Sequence, residues 1–327
     1  MSSNEIVKMC ATKIFSDFKQ TEGPSTQAPL APGMVRAAFY TSKLWKKGSE
    51  ITISFVGDPS KIKISNAVDS TVDPLQSQVE SMNFKEAIKK IVTERIQPLV
   101  NLKFVFVPDN SATALVRIDF DPNKGSWSLL GTDCKYNTDS PTMNFAWFDV
   151  GTVLHEFGHM LGMIHEHQNP RGKKIQWDKN KVYSWAEQTQ GWSKDDTDNN
   201  ILNAYDIDHI NGSDFDPLSV MLYFFPGSLT TDNKGTQQNL RFSATDVLWI
   251  AKMYPNENGP SPETYYEDTY KETLDDALEK SKRLALSIRN AGSITISYDD
   301  FIKYLAFGVG CILVYLFITR VLFKKNK

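Results

Sequence analysis

The chain has few cysteines, few histidines and no large excess of charge of either sign. Its 327 residues include three cysteines, Cys10, Cys134 and Cys311. Three cysteines form at most one disulfide, which excludes a disulfide-stapled scaffold and favours a reducing compartment. The formal net charge is only -3, and no basic stripe is visible, so we predict no nucleic-acid partner. Residues 1–20 also lack the continuous apolar stretch of a secretory signal peptide.

The histidines are scarce, yet three of the five fall within one stretch, residues 155–166. His155 and His159 are four positions apart, so on a helix both imidazoles lie on one face and can bind one ion. Gly162 tolerates positive φ and can end that helix, which would turn His165 back toward the same ion. Three protein ligands leave one tetrahedral position open, as in catalytic zinc sites. The sequence therefore predicts one catalytic Zn²⁺ held by these histidines.

Glu156 follows the first of these histidines and is predicted to be the general base beside the zinc site. A His-Glu-x-x-His string alone is a weak signal, because it arises by chance in many helices. Here the spacing continues to Gly162 and His165, which is the longer pattern of the metzincins. Core histidines satisfied by hydrogen bonds are the alternative, but they have no reason to cluster at ligand spacing.

Composition and periodicity divide the chain into four segments. Residues 1–36 form an N-terminal segment and a Pro/Gly-rich linker, and residues 37–256 form the catalytic domain. Residues 257–300 form a second linker and an amphipathic helix. We predict an α+β fold for the domain, with a mixed sheet, an active-site helix and a cleft. The predicted elements are strands at 51–55, 102–107 and 115–120, a helix at 83–97, the active helix from about 150, and a helix capped by Ser243 with Asp246.

The glycine-bounded segment 125–131 is predicted to be a short strand at the edge of the sheet. An extended peptide could add to such an edge as a further strand, so Trp127 and Ser128 are candidate substrate-binding residues. The alternative is a plain loop in which Trp127 is packed.

Residues 304–323 are predicted to be a transmembrane helix, since this apolar run of 20 residues carries one charge, Arg320. The alternative is a core helix of a soluble domain. Basic residues after the span and acidic residues before it would place the C-terminus in the cytosol by the positive-inside rule. A span so late in a chain without a signal peptide, however, is typical of a tail anchor. We therefore favour a single-pass C-terminal anchor with the catalytic domain in the cytosol.

From Leu44 to Tyr254 the sequence resembles the astacin-like branch of the metzincin zinc metalloproteases. The resemblance implies a zinc endopeptidase with peptide or protein substrates. It also implies that Met221 lies in a turn beneath the zinc site and that Tyr223 hydrogen-bonds the developing oxyanion. The matching stretches are Leu44-Trp45, 125–128, the zinc motif through Glu166, 219–223 and 242–246.

Two of these roles have alternatives or need processing of the chain. For Tyr223 the alternative is an aromatic packed beside Phe224 and Phe225. Glu166 resembles the family glutamate that receives the new N-terminus after propeptide removal. Cleavage after Arg36 would here free Ala37 for that role.

The sequence also departs from the family. Leu222 stands where astacins usually carry histidine, the arginine and acidic pair expected after Glu166 are missing from 167–170, and the three cysteines cannot form both family disulfides. We predict a zinc-dependent endopeptidase anchored to a membrane by its C-terminus. The alternative is a catalytically silent zinc-fold protein that binds peptides or partners at the membrane, but zinc binding alone would not require Glu156.

Overall fold

The computed structural model describes residues 11–13, 38–65, 72–136, 140–171, 175–205, 207–212 and 214–270. The chain divides into one compact unit that ends at Glu267 and a second from Asp268 to Lys327. The predicted span 304–323 and most of the amphipathic segment 257–300 lie outside the described residues. Within the described part of the chain, no helix has both the length and the apolarity needed to cross a bilayer.

The first unit is built on a mixed sheet, as the sequence predicts. Six described strands lie in the order β1-β6-β7-β5-β3-β4, and a separate pair joins β2 to β8. The neighbours β4, β3, β5 and β7 are parallel, β6 is antiparallel to β7, and β1 is parallel to β6. The strands are β1 Ala11–Lys13, β2 Ala38–Tyr40, β3 Glu50–Phe55, β4 Lys103–Phe106, β5 Val116–Asp119, β6 Trp127–Leu129, β7 Met143–Asn144 and β8 Ile210–Gly212.

The helix predicted at 83–97 begins where expected but ends early. Asn83 caps α2 by accepting a hydrogen bond from Lys85 N, and the α-helical part ends at Ile91. Wider π-type turns follow over Val92–Ile96. Pro98 disfavours regular α-helical bonds in the last of these turns, because it lacks an N–H and its ring crowds the carbonyl of Glu94 four residues earlier. The helices are α1 Gln76–Val79, α2 Phe84–Ile91, α3 Val150–Met160, α4 Lys179–Gln190, α5 Lys194–Thr197, α6 Ala244–Met253 and α7 Pro262–Tyr270.

Helix α3 lies at the centre of this unit. All eleven of its residues are buried, as expected for a helix enclosed by other elements on every side. It packs against α2 and β6. On one side the apolar faces of α2 and α3 meet, and the rings of Phe84 and Phe148 stack at 4.6 Å between centroids.

After α3 the chain builds a second, largely aromatic core. Its buried members come from α4, from the turn after α5 and from residues 223–229: Val182, Ala186, Ile201, Tyr223, Phe225 and Leu229. Helix α6 follows, with the predicted capping box of Ser243 and Asp246. This second core lies against the end of α3 that carries the histidines, because Tyr223 belongs to it and also contacts their rings.

Candidate metal centre and active site

The end of α3 and the loop after it bring the three predicted ligands together. His155 and His159 lie on α3, and Gly162, with φ of 95°, reverses the chain after it. His165 then returns to the helix, so that its ring centroid lies 4.6 Å from that of His159 and 5.3 Å from that of His155. One nitrogen from each ring lies within 4.8 Å of the other two. The predicted clustering of these histidines at the end of α3 is confirmed.

Each of the three rings has its Nδ1 atom held by an oxygen. His155 Nδ1 lies 2.8 Å from Val220 O, and His159 Nδ1 lies 2.9 Å from Met163 O. His165 Nδ1 lies 3.4 Å from the amide oxygen Oε1 of the nearby Gln168. Since these oxygens only accept hydrogen bonds, each Nδ1 carries the ring proton. Each Nε2 therefore carries a lone pair that can bind a metal.

The three Nε2 atoms lie close together, an arrangement that suits a bound metal cation. His159 Nε2 and His165 Nε2 are 3.0 Å apart, close to the spacing of about 3.3 Å between two imidazole ligands of tetrahedral zinc. His155 Nε2 is buried and has no hydrogen-bond partner within the described residues. Burial lowers the pKa of His155 to about 4 and the pKa values of His159 and His165 well below the usual value. The rings are therefore neutral at pH 7 and fit Zn²⁺.

Glu156 and Met221 lie on either side of the histidine positions on α3. The Glu156 side chain is fully buried. Met221 is also fully buried, and a Cβ built on Gly158 would be only 2.6 Å from Met221 Sδ. The methionine therefore packs against the bare backbone of α3 between the two histidines. Glu166 N donates to Met221 O at 3.0 Å, which joins this turn to the end of the motif.

Asp246 fixes the methionine turn, a contact that no pattern in the sequence indicates. Its carboxylate accepts from Ser219 Oγ at 2.7 Å, from Val220 N at 2.9 Å and from Ser243 N at 3.0 Å. The pKa of Asp246 is raised to about 7, mainly by burial and to a smaller extent by the charge of Asp216. The capping box was visible in the sequence, but its contact with residues 219–220 spans 26 or more positions.

The ring of Tyr223 lies beside the histidines and inside the aromatic core. It stacks on His155 with 5.4 Å between ring centroids, and its centroid lies 4.2 Å from that of the His165 ring. Phe225 belongs to the same buried core, whereas Phe224 is exposed. Tyr223 is thus both packed and placed at the site. His167, which lies outside the zinc motif in sequence, stacks on His165 with 5.2 Å between ring centroids.

Glu166 is buried outside the metal cluster. Its Oε1 accepts from Asp216 N at 2.8 Å and from Asn169 Nδ2 at 3.1 Å. Burial raises its pKa well above the ordinary value. Residues 36 and 37 of the predicted cleavage site lie outside the described residues. The described chain resumes at Ala38, whose carbonyl accepts from Ile164 N at 3.1 Å, beside the motif.

Trp127 and Ser128 form a strand as predicted, but not one with an open edge. Both side chains are buried, and Ser128 Oγ donates to Leu129 O at 2.9 Å. Strand β6 pairs with β7 on one side and with β1 on the other. The expectation of a free sheet edge is therefore wrong for this structure. Residues 11–13 satisfy the N–H and C=O groups that an open β6 would expose.

The chain matches a known family model and is similar to solved structures. The family model for the astacin peptidases matches residues 67–255, which is more than half of the chain. A structure of myroilysin is 35% identical, covering 67% of this chain and 99% of that chain with a TM-score of 0.56. A crystal structure of myroilysin is 34% identical, covering 66% and 87% with a TM-score of 0.44. High choriolytic enzyme 1, a hatching enzyme zinc-protease from the medaka fish Oryzias latipes, is 15% identical, covering 65% and 95% with a TM-score of 0.37. No curated protein matches the chain.

Proposed function

Because the chain belongs to the astacin family of zinc metalloproteases, we propose that His155, His159 and His165 hold its catalytic zinc in an endopeptidase site. The observation that carries this proposal is the close approach of three buried imidazoles, with the Nε2 atoms of His159 and His165 3.0 Å apart. Zinc bound there supplies Lewis-acid chemistry, which lowers the pKa of a water molecule to about 7 and polarises a peptide carbonyl.

Glu156 is the proposed general base. Its carboxylate takes a proton from the attacking water and delivers it to the leaving amine nitrogen, a contribution of about 10²- to 10⁴-fold in rate. Two observations support this role. The side chain is fully buried on the ligand helix, and three histidines already complete the protein part of a catalytic zinc site without a fourth ligand.

Tyr223 is the proposed donor to the oxyanion that forms on the substrate carbonyl. Its support is the position of the ring, which contacts His155 and His165. Met221 is proposed to support the site from below, through its packing on Gly158.

Residues 1–36 are the proposed propeptide of a catalytic domain that spans 37–256. We propose that substrate pairs with β6 at Trp127 and Ser128, where β1 now lies. Cleavage after Arg36 would release residues 1–36, which include β1. It would also free the Ala37 amine to pair with Glu166. The buried carboxyl of Glu166 supports this pairing, because a cation beside it would offset its desolvation. N-terminal sequencing of active protein tests the idea, and full activity with an intact Met1 would end it.

Membrane anchoring is proposed from the sequence alone, on the apolar run 304–323. The protein would be a single-pass tail-anchored enzyme with its catalytic domain in the cytosol. Protease treatment of sealed, cytosol-out vesicles tests both points. Digestion of the catalytic domain in intact vesicles is expected, and protection would place the domain on the other side.

The catalytic proposal is tested by zinc content and casein cleavage of the N-terminally processed protein. We expect one zinc per chain and cleavage that a chelator abolishes. Glu156→Gln should keep the zinc and lose cleavage by about 10²-fold or more, whereas Glu187→Gln, an exposed change on α4, should alter neither. Zinc binding without cleavage in the unsubstituted protein would instead favour the silent peptide-binding alternative.

A further inference from the structure

The Nδ1 atoms of the three ligand histidines are held by two kinds of oxygen. His155 and His159 use main-chain carbonyls, of Val220 and Met163, which no substitution removes. His165 uses a side chain, the amide of Gln168, at 3.4 Å. Among these three contacts, this is the one that a single side-chain change can remove.

The orientation of the Gln168 amide follows from its other two contacts. Its Nε2 donates to Asn199 O at 2.8 Å and to Asn203 O at 2.9 Å. Carbonyl oxygens cannot donate, so the NH₂ group must face them and Oε1 must face His165. The side chain is only 3% exposed, which leaves the amide little freedom to turn.

The residues that hold this amide are themselves ordered by backbone hydrogen bonds. Asn203 N donates to Asp198 O at 2.8 Å and closes the π-type turn Asp198–Leu202. The main chain of Gln168 is tied to the same region, because Tyr205 N donates to Gln168 O at 3.1 Å. The carbonyls of Asn199 and Asn203 are therefore fixed acceptors that orient the Gln168 amide. The amide oxygen in turn orients the His165 imidazole.

We propose that Gln168 is a positioning residue of the zinc site, whose amide oxygen fixes the His165 tautomer that offers Nε2 to the metal. This inference rests on the proposed role of His165 as a zinc ligand. Partners of this kind, on the far side of a ligand histidine, orient the ring and increase its basicity. With the amide oxygen gone, the ring can rotate or carry its proton on Nε2, and either change removes the lone pair from the metal.

A purely structural role for Gln168, as an anchor to residues 199–203, makes a different prediction. Gln168→Met removes both the oxygen that faces His165 and the two donors to the carbonyls. Gln168→Glu keeps an oxygen toward His165 but loses both donors when ionised. The anchor role predicts that both variants weaken zinc binding equally, whereas the positioning role predicts that glutamate preserves it.

The experiment measures the zinc dissociation constant of the full-length chain by competition with a chromophoric chelator at neutral pH. We expect Gln168→Met to weaken zinc binding by about 10- to 100-fold, and Gln168→Glu to stay within a few-fold of wild type or bind more tightly. Gln97→Met is the matched control, because Gln97 also bonds two main-chain groups, Leu102 O and Phe104 N, away from the site. It should lower the unfolding midpoint of the zinc-free protein and leave zinc affinity unchanged.

Two results would overturn the inference: wild-type zinc affinity in Gln168→Met, or equal weakening in both Gln168 variants. If Gln168→Met does not fold, Gln168→Asn replaces it, since the shorter amide cannot reach both His165 and the turn. Failure of wild type to bind zinc overturns this inference and the proposed function together. Zinc binding without peptide cleavage overturns the proposed function alone, and the affinity differences would still support the role of Gln168.

Discussion

Replacing Gly158 by alanine tests whether Met221 packs directly beneath the ligand helix. Gly158 lies on α3 between His155 and His159, and both it and Met221 are buried. An added Cβ would lie 2.6 Å from Met221 Sδ and 3.4 Å from Met221 Cε. Ordinary contact between such atoms needs roughly 3.5–4.0 Å, so the sulfur must move by about 1 Å.

The expected cost follows from two opposing effects. Forcing an extra methyl into a packed core costs about 1–3 kcal/mol. Alanine in a helix interior is favoured over glycine by about 1 kcal/mol. Gly158→Ala should therefore destabilise the protein by about 1 kcal/mol in net terms. In a Met221→Ala background the sulfur is gone and the new methyl enters the cavity, so the same change should become neutral or stabilising.

Urea unfolding of the full-length chain with excess zinc, followed by tryptophan fluorescence, gives the four free energies of this double-mutant cycle. We expect the two substitutions to couple by about 1–3 kcal/mol. Additive effects, with Gly158→Ala costing the same in both backgrounds, would refute the contact between Met221 and α3.

Three further outcomes follow from the structure. Tyr223→Phe should lower kcat by about 10²-fold with zinc content unchanged; peptide-cleavage kinetics measure this, and an unchanged kcat would leave Tyr223 as a packing residue only. The pKa of Asp246, raised from 3.8 to about 7, makes the folded state bind a proton that the unfolded state releases. Its stabilising effect is therefore complete below pH 3.8 and lost as the pH rises through about 7. The free energy of unfolding of wild type minus that of Asp246→Asn should fall over this range, and a flat difference would contradict the raised pKa. Arg95→Met breaks the buried ion pair with Asp73 and should lower the free energy of unfolding in urea by about 3–5 kcal/mol. Lys103→Met, in the exposed pair with Glu50, should lower it by about 0–1 kcal/mol. Equal costs would contradict the burial argument.

The predictable part of the site is local in sequence. His155, His159 and His165 span eleven residues, and helix geometry with one glycine turn is enough to bring them together. The capping box of Ser243 with Asp246 is likewise set within four positions. Strands β3, β4 and β5 were predictable because each has a compact apolar or alternating pattern.

The unpredicted part depends on contacts between distant segments. Asp246 holds Ser219 and Val220 from 26 or 27 positions away, and Gln168 is oriented by carbonyls more than 30 positions later. No periodicity in the sequence signals such pairs, because the local structure around each partner forms independently of the other partner. The π-type turns over Val92–Ile96 were missed for a different reason, since no pattern in the sequence distinguishes them from α-helical turns.

The pairing of β1 with β6 indicates how the proposed cleavage after Arg36 would act as a switch. One side of β6 is committed to β7, so β1 and an extended substrate would need the same remaining N–H and C=O groups. Within the described residues three residue pairs join β1 to β6, and backbone hydrogen bonds contribute a net stabilisation of about 0.5–1.5 kcal/mol each. So short a strand would bind weakly as a separate peptide. As part of the same chain it competes intramolecularly, which favours it over a separate peptide of the same sequence. Covalent attachment, rather than intrinsic affinity, would therefore keep β1 on β6, and cutting the chain after Arg36 would remove that advantage without any change to β6 itself.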